Sequence, residues 1–119
     1  MVTMRIIALQ IVLLIFAVQS SFAQATYTCS GPVNGVTINP SGFVVPGNMG
    51  GFTWVYVCQL GTNYNGVTPE ACKAIYATLL IAQMSGKHVM LWFDDGGNCA
   101  SHPAWAPLQG WYFGPQLVP

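Results

Sequence analysis

Between Cys58 and Asp94 the chain reads as a strand, a short loop, a helix and a second strand, with almost no charge in any of them. Thr68-Pro69-Glu70 marks the helix start: the threonine hydroxyl can cap a free N–H, proline suits the first helical position, and glutamate meets the positive end of the helix dipole. The pattern predicts a helix to Ser85, with Gly86 as the left-handed stop. At 100° per residue Cys72, Ile75, Tyr76, Leu79 and Ala82 share one face, which must cover a sheet. The opposite face carries Ala74, Ala77, Ile81 and Met84, with only Lys73 at its margin. A helix apolar on both sides needs cover on both sides. A second copy of the chain is the expected cover for the outer face, and the alternative is a helix wholly enclosed by its own domain. The strand His88 to Asp94 repeats the pattern, because Val89, Leu91 and Phe93 alternate with Met90 and Trp92 and leave no polar face.

Residues 1–25 stand apart. Arg5 supplies a positive flank, Ile6 to Val18 is apolar but for Gln10, and Ala23-Gln24-Ala25 has the small-x-small form of a cleavage site, so this stretch reads as a signal peptide. A membrane anchor would need about 20 apolar residues, more than the run supplies. The remainder, 26–119, is enough for one domain and too short for two. A secreted or periplasmic location follows from the signal.

Charged residues make up 5% of the chain, against about a quarter in a typical globular domain. After the signal the charged side chains are Glu70, Lys73, Lys87, Asp94 and Asp95. Nucleic-acid binding leans on Lys and Arg neutralising phosphates, and no basic patch exists to do so. The composition is also the reverse of a disordered chain, with Trp54, Trp92, Trp105 and Trp111 in place. A surface so poor in charge favours self-association or an apolar binding face.

Upstream of Cys58, Val36, Ile38 and Phe43 to Val45 are β-formers around the turn Asn39-Pro40-Ser41-Gly42, which reads as a hairpin. Gly47 to Gly51 reads as a loop. Phe52 to Leu60 is expected to be one strand, with Phe52, Trp54, Tyr56 and Cys58 on one face and Thr53, Val55 and Val57 on the other. Ala100 to Leu108 is a proline-punctuated loop, and Trp111 to Phe113 a short last strand. Four cysteines behind a secretory signal argue for two disulfides, in any of three pairings. A Cys58–Cys72 bridge would pin the helix to the sheet, a constraint of about 3 kcal/mol for so short a loop. Cys29–Cys99 is what then remains.

Residue types for chemistry are sparse. There is no Cys-x-x-Cys pair, and His88 and His102 lie at no familiar zinc spacing, so neither metal nor cofactor is expected. Asp94, Asp95 and Asn98 offer oxygens to calcium, but no bidentate glutamate follows them at loop distance. Ser101 and His102 are adjacent, a poor arrangement for nucleophile and base, and no Gly-x-Ser-x-Gly elbow exists. Glu70 belongs to a helix start, and Asp94 and Asp95 as strand neighbours point apart, so no glycosidase pair forms. The chain reads as non-catalytic. Trp54 and Trp92 read as packing residues, whereas Trp105, in a proline-rich loop, is the candidate stacking surface.

The order hairpin, strand, loop, helix, strand, strand predicts a mainly β fold with one helix (α+β): a small five-stranded OB-like barrel, disulfide-bonded. With that order, Cys29-Ser30-Gly31, Tyr56-Val57-Cys58, Ala71-Cys72 and Ser85 to Phe93 make the chain similar to the pentameric cell-binding B subunits of bacterial toxins. The resemblance implies a homo-oligomeric ring, a pentamer with helices lining its channel through Ala74, Ala77, Ile81 and Met84. It also implies sialylated cell-surface glycans as ligands and a separately encoded catalytic subunit as partner. Carried over by position, the sugar contacts are Ser30, Asn63 and Phe93, to which Trp105 adds a stacking surface. Cys29 stands where the family has an aromatic, and Phe93 where it has a tyrosine. The expected function is therefore a secreted, ring-forming, glycan-binding domain; the alternative is a secreted protein-interaction domain of the same fold with no sugar site.

Overall fold

The structure, a computed structural model, describes residues 25–119. The expected signal peptide, apart from Ala25, lies outside the described residues. Five strands and one helix follow in chain order: β1 (Tyr27–Ile38), β2 (Phe43–Met49), β3 (Cys58–Gln59), α1 (Pro69–Ser85), β4 (His88–Phe93) and β5 (Trp111–Val118). All strand pairs are antiparallel, in the order β3-β2-β1-β4-β5. The long β1 organises the sheet. Its first half, Tyr27 to Pro32, pairs with β4, and its second half, Val33 to Ile38, pairs with β2. A strand that changes partner midway bends the sheet into a half-barrel. At the point of change, a Cβ on Gly31 would lie 3.0 Å from the Gly50 backbone, so only glycine lets the end of β2 approach so closely.

The β1–β2 hairpin turns where expected. Gly42 N–H donates to Asn39 O at 2.9 Å, and the Asn39 side chain accepts from the Ser41 and Phe43 N–H groups. The helix keeps its expected bounds. Thr68 Oγ1 accepts from Ala71 N–H at 3.2 Å, and Gly86 ends the helix at φ 67°. Cys72, Leu79 and Ala82 are buried against the sheet, with Ile75 and Tyr76 packed beside them. There they join Val44, Met49, Phe52, Val55, Val57, Val89, Leu91, Phe93 and Leu108. Each fully buried Leu, Val or Phe contributes about 1.5–3 kcal/mol by leaving water. Both bridges form as paired above, Cys58–Cys72 and Cys29–Cys99, with Cα separations of 5.6 and 5.8 Å. Among the described residues no helix is long and apolar enough to cross a membrane.

Three local expectations fail, each for a physical reason. Gly47 to Met49 continue β2 rather than opening a loop, because Asn34 and Val33 on β1 hold Asn48 and Met49 in register. The expected long strand Phe52 to Leu60 shrinks to Cys58–Gln59. Its alternation breaks at Trp54, whose φ of 51° lies in the left-handed region, so Trp54 is exposed while Phe52, Val55 and Val57 are buried. Finally, β5 runs on through Gly114 and Pro115 to Val118. Proline is tolerated there because β5 is the sheet's edge, and a Cβ on Gly114 would meet Met90 O at 2.6 Å where the β4–β5 register shifts.

Candidate functional site

The broken alternation at Trp54 builds the most unusual surface in the molecule. Trp54 to Tyr56 runs parallel to Trp105 to Leu108: Trp105 N–H donates to Trp54 O (2.8 Å), Tyr56 N–H to Ala106 O (3.0 Å) and Leu108 N–H to Tyr56 O (3.0 Å). This run draws together the segments leading into β3 and β5, the two edges of the sheet. Parallel neighbours at one level project their side chains together, and the indoles of Trp54 and Trp105 stack with centroids 5.4 Å apart and planes 4° from parallel. Both residues sit at positive φ, 51° and 60°. For so bulky a side chain this is a true outlier, with a strain of about 1–3 kcal/mol each. Gly47 makes room beneath, since a Cβ there would lie 3.3 Å from the outer ring of Trp54. The result is a layered stack of β2 backbone, Trp54 and Trp105. Trp105 is outermost, at 63% exposure, against 38% for Trp54.

Trp105 belongs to the segment from Asp94 to Gly110, which a second cluster ties down. The Tyr27 hydroxyl donates to Asp95 Oδ1 at 2.7 Å. With that proton committed, the Nε2–H of neutral His102 donates to the phenol oxygen at 2.8 Å. The His102 ring packs against Phe93 and Phe52, at 4.7 and 5.1 Å between centroids, and Tyr27 stacks on Phe93 at 5.1 Å. Burial in this aromatic setting lowers the pKa of His102 from its ordinary value, against the pull of Asp95. Asp95 is held below the usual carboxylate range by the Tyr27 hydroxyl and the Gly97 N–H. Burial, then Asp95, pushes Tyr27 up to about 12. The Cys29–Cys99 bridge fixes the same segment to β1.

The expected sugar contacts lie on four separate stretches of the fold: β1, the loop after β3, β4 and the segment between β4 and β5. No side-chain hydrogen bond or ring stack links any two of Ser30, Asn63, Phe93 and Trp105. Ser30 is exposed on the outer face of β1, opposite Met90, and Asn63 is exposed in the loop after β3. Phe93 is corrected outright: at 0% exposure it is a core residue, because it shares the inward parity of Val89 and Leu91. The aromatic on the same face as Ser30 is Trp92, which packs edge-on to Phe113 at 5.2 Å. Trp54, expected to pack, is half of the exposed stack. Nothing in its period-2 pattern signals this, since the cause is one left-handed backbone angle. Trp105 is exposed as expected.

The polar groups around the clamp are occupied by structural bonds. Ser101 Oγ donates to Asn98 O and accepts from Asn98 N–H, so its proton is not offered to His102. Asp95 serves Tyr27 and Gly97, and the Asn98 side chain accepts from Ala100 N–H. On α1, Ala74, Ala77, Ile81 and Met84 all lie exposed, Ile81 at 53% and Met84 at 84%. No protein-family model, curated protein or solved structure matches this chain.

Proposed function

We propose that this chain is a secreted, non-catalytic binding domain that holds a saccharide ring against the Trp54–Trp105 stack. The observation that carries the reading is the stack itself: two exposed indoles held parallel by backbone angles that tryptophan rarely adopts. Strain of this kind persists where the surroundings enforce it, and it gathers at binding sites. An indole face is electron-rich. The C–H face of a hexose is apolar and slightly positive, so it matches a flat exposed indole without needing charge.

The surroundings favour a neutral sugar over an acidic one. Thr53, Pro103, Ala104 and Ala106 flank the tryptophans in sequence, and Lys73 and Lys87 sit in the second turn and just beyond the end of α1. A sialic-acid carboxylate would meet no cation among the residues flanking the platform. Two disulfides support an oxidising, extracellular setting. A panel of neutral and sialylated glycans tests the reading. Neutral saccharides should bind, Trp105→Ala should abolish that binding, and Trp92→Ala, on the Ser30 face, should leave it intact. Loss on Trp92→Ala alone would move the site to the outer face of β1 and β4.

The bare face of α1 supports a second proposal, that copies of this chain assemble through it, in a ring as the resemblance to toxin B subunits implies. Ala74, Ala77, Ile81 and Met84 carry no charge, and identical uncharged patches can meet without complementary partners. Light scattering on the protein from residue 26 should give an oligomer that Ile81→Lys with Met84→Lys dissociates. The alternative of a protein-interaction domain rests on the exposed Tyr112 and Phe113 of β5. It would gain if every sugar on the panel were ignored.

A further inference from the structure

We infer that Tyr27 is a positioning residue for the tryptophan platform: its hydroxyl, clamping Asp95 and His102 together, fixes where the Asp94 to Gly110 segment delivers Trp105 onto Trp54. The inference rests on the platform reading for its consequence in binding, but its structural content stands on the geometry.

The two halves of the platform have different supports. Trp54 is set directly against the sheet: its N–H donates to Pro46 O at 2.9 Å, and its ring lies over Gly47. Trp105 arrives at the end of an irregular segment that leaves β4 at Phe93 and is exposed along most of its length before it rejoins the core at Leu108. Three ties bring it back: the Cys29–Cys99 bridge, the Tyr27 clamp and the parallel run from Trp105 to Leu108. The bridge fixes Cys99 alone, and five residues separate it from Trp105, so it leaves the direction of approach open. His102 is the last anchored side chain before Trp105, and it is fixed on both sides, by the phenol oxygen and by the rings of Phe52 and Phe93. Tyr27 is itself immobilised, stacked on Phe93 within 6° of parallel. Its hydroxyl is therefore a fixed point of β1 from which both Asp95 and His102 are measured.

The test reads the tryptophan pair without any ligand. Two indoles stacked face to face couple their transitions and give a hypochromic difference band in far-ultraviolet absorption. Trp105→Ala, which removes one partner, defines its complete loss. Tyr27→Phe keeps the ring on Phe93 and deletes only the hydroxyl; it should reduce the coupled band by at least half. Asp95→Ala should do the same, and Asp95→Asn, which keeps an oxygen acceptor for the phenol, should restore the band. An unchanged band in Tyr27→Phe overturns the inference. Should that variant fail to fold, the exposed Asp95 pair decides, and an equal band in Asp95→Ala and Asp95→Asn overturns it. If the band responds as expected but the wild-type protein binds no saccharide, positioning stands and the glycan reading fails, so the two are separable.

Discussion

The segment from Pro69 to Phe93 and the segment from Asp94 to Gly110 are consecutive, each is tied to the sheet by one disulfide, and they follow opposite rules. In the first, cap, period and stop agree, and burial follows parity: Leu79 and Ala82 go in, Val89, Leu91 and Phe93 go in. In the second, and in the stretch around Trp54 that it pairs with, large aromatics sit at left-handed angles and lie exposed. The first segment is what a foldable sequence looks like when every level agrees. The second breaks the local rules, and such breaks gather at functional or strained sites.

The comparison can be broken most forcefully inside the helix. Leu79→Ala, at a fully buried position, should cost about 2–5 kcal/mol. Ile81→Ala, two residues on, should stay within about 0.5 kcal/mol in the monomer. Urea unfolding measures both, and equal costs would mean that the outer face is covered. Replacing both members of a bridge by serine should cost about 4 kcal/mol for Cys29–Cys99, sequence separation 70, and about 3 kcal/mol for Cys58–Cys72, separation 14. Chemical denaturation of each double variant gives the order, and a larger loss for the shorter loop would contradict it.

Acid and alkali sharpen the contrast, because the clamp belongs to the second segment alone. His102 and Asp95 have folded pKa values below their ordinary 6.5 and 3.8, so the unfolded chain takes up protons first. Their contributions are complete above those values and are lost as the pH falls below 6.5 and again below 3.8. Tyr27 has the opposite sign: raised from 10.0 to about 12, it stabilises below 10 and that part is lost as the pH rises to about 12. Unfolding free energy should therefore have a plateau between these limits. His102→Gln should flatten the first acid step, and an identical profile in that variant would contradict the assignment. A smaller effect is expected of Thr68→Ala, which removes the cap on Ala71 N–H and should lower stability by about 1 kcal/mol in thermal melts.

The sequence made the first segment legible because its information is local. Thr68, Pro69 and Gly86 bound α1 by rules that act within one turn, and alternation assigned β4. It even held the correction to the site, since Phe93 shares parity with Val89 and Leu91 and so had to face inward. The disulfides followed from where Cys58 and Cys72 fall relative to strand and helix. Trp54 was illegible for the converse reason. Its exposure depends on a backbone angle enforced by Pro46 on one side and Trp105 on the other, two partners far apart in sequence. The Tyr27 clamp, spanning 68 and 75 residues, is likewise a product of the fold. The length of β5 was not legible, because glycine and proline such as Gly114 and Pro115 are tolerated within a strand chiefly where it lies at an edge, and the edge is a property of the fold.

Calorimetric titration of wild-type protein and Trp105→Ala with a neutral oligosaccharide, each paired with its melting temperature, bears most directly on the tryptophan stack as a sugar platform. The account predicts binding by the wild type, none by the variant, and melting temperatures that agree because Trp105 is exposed and strained. Equal binding by both proteins, or a variant that binds nothing only because it no longer folds, would contradict it.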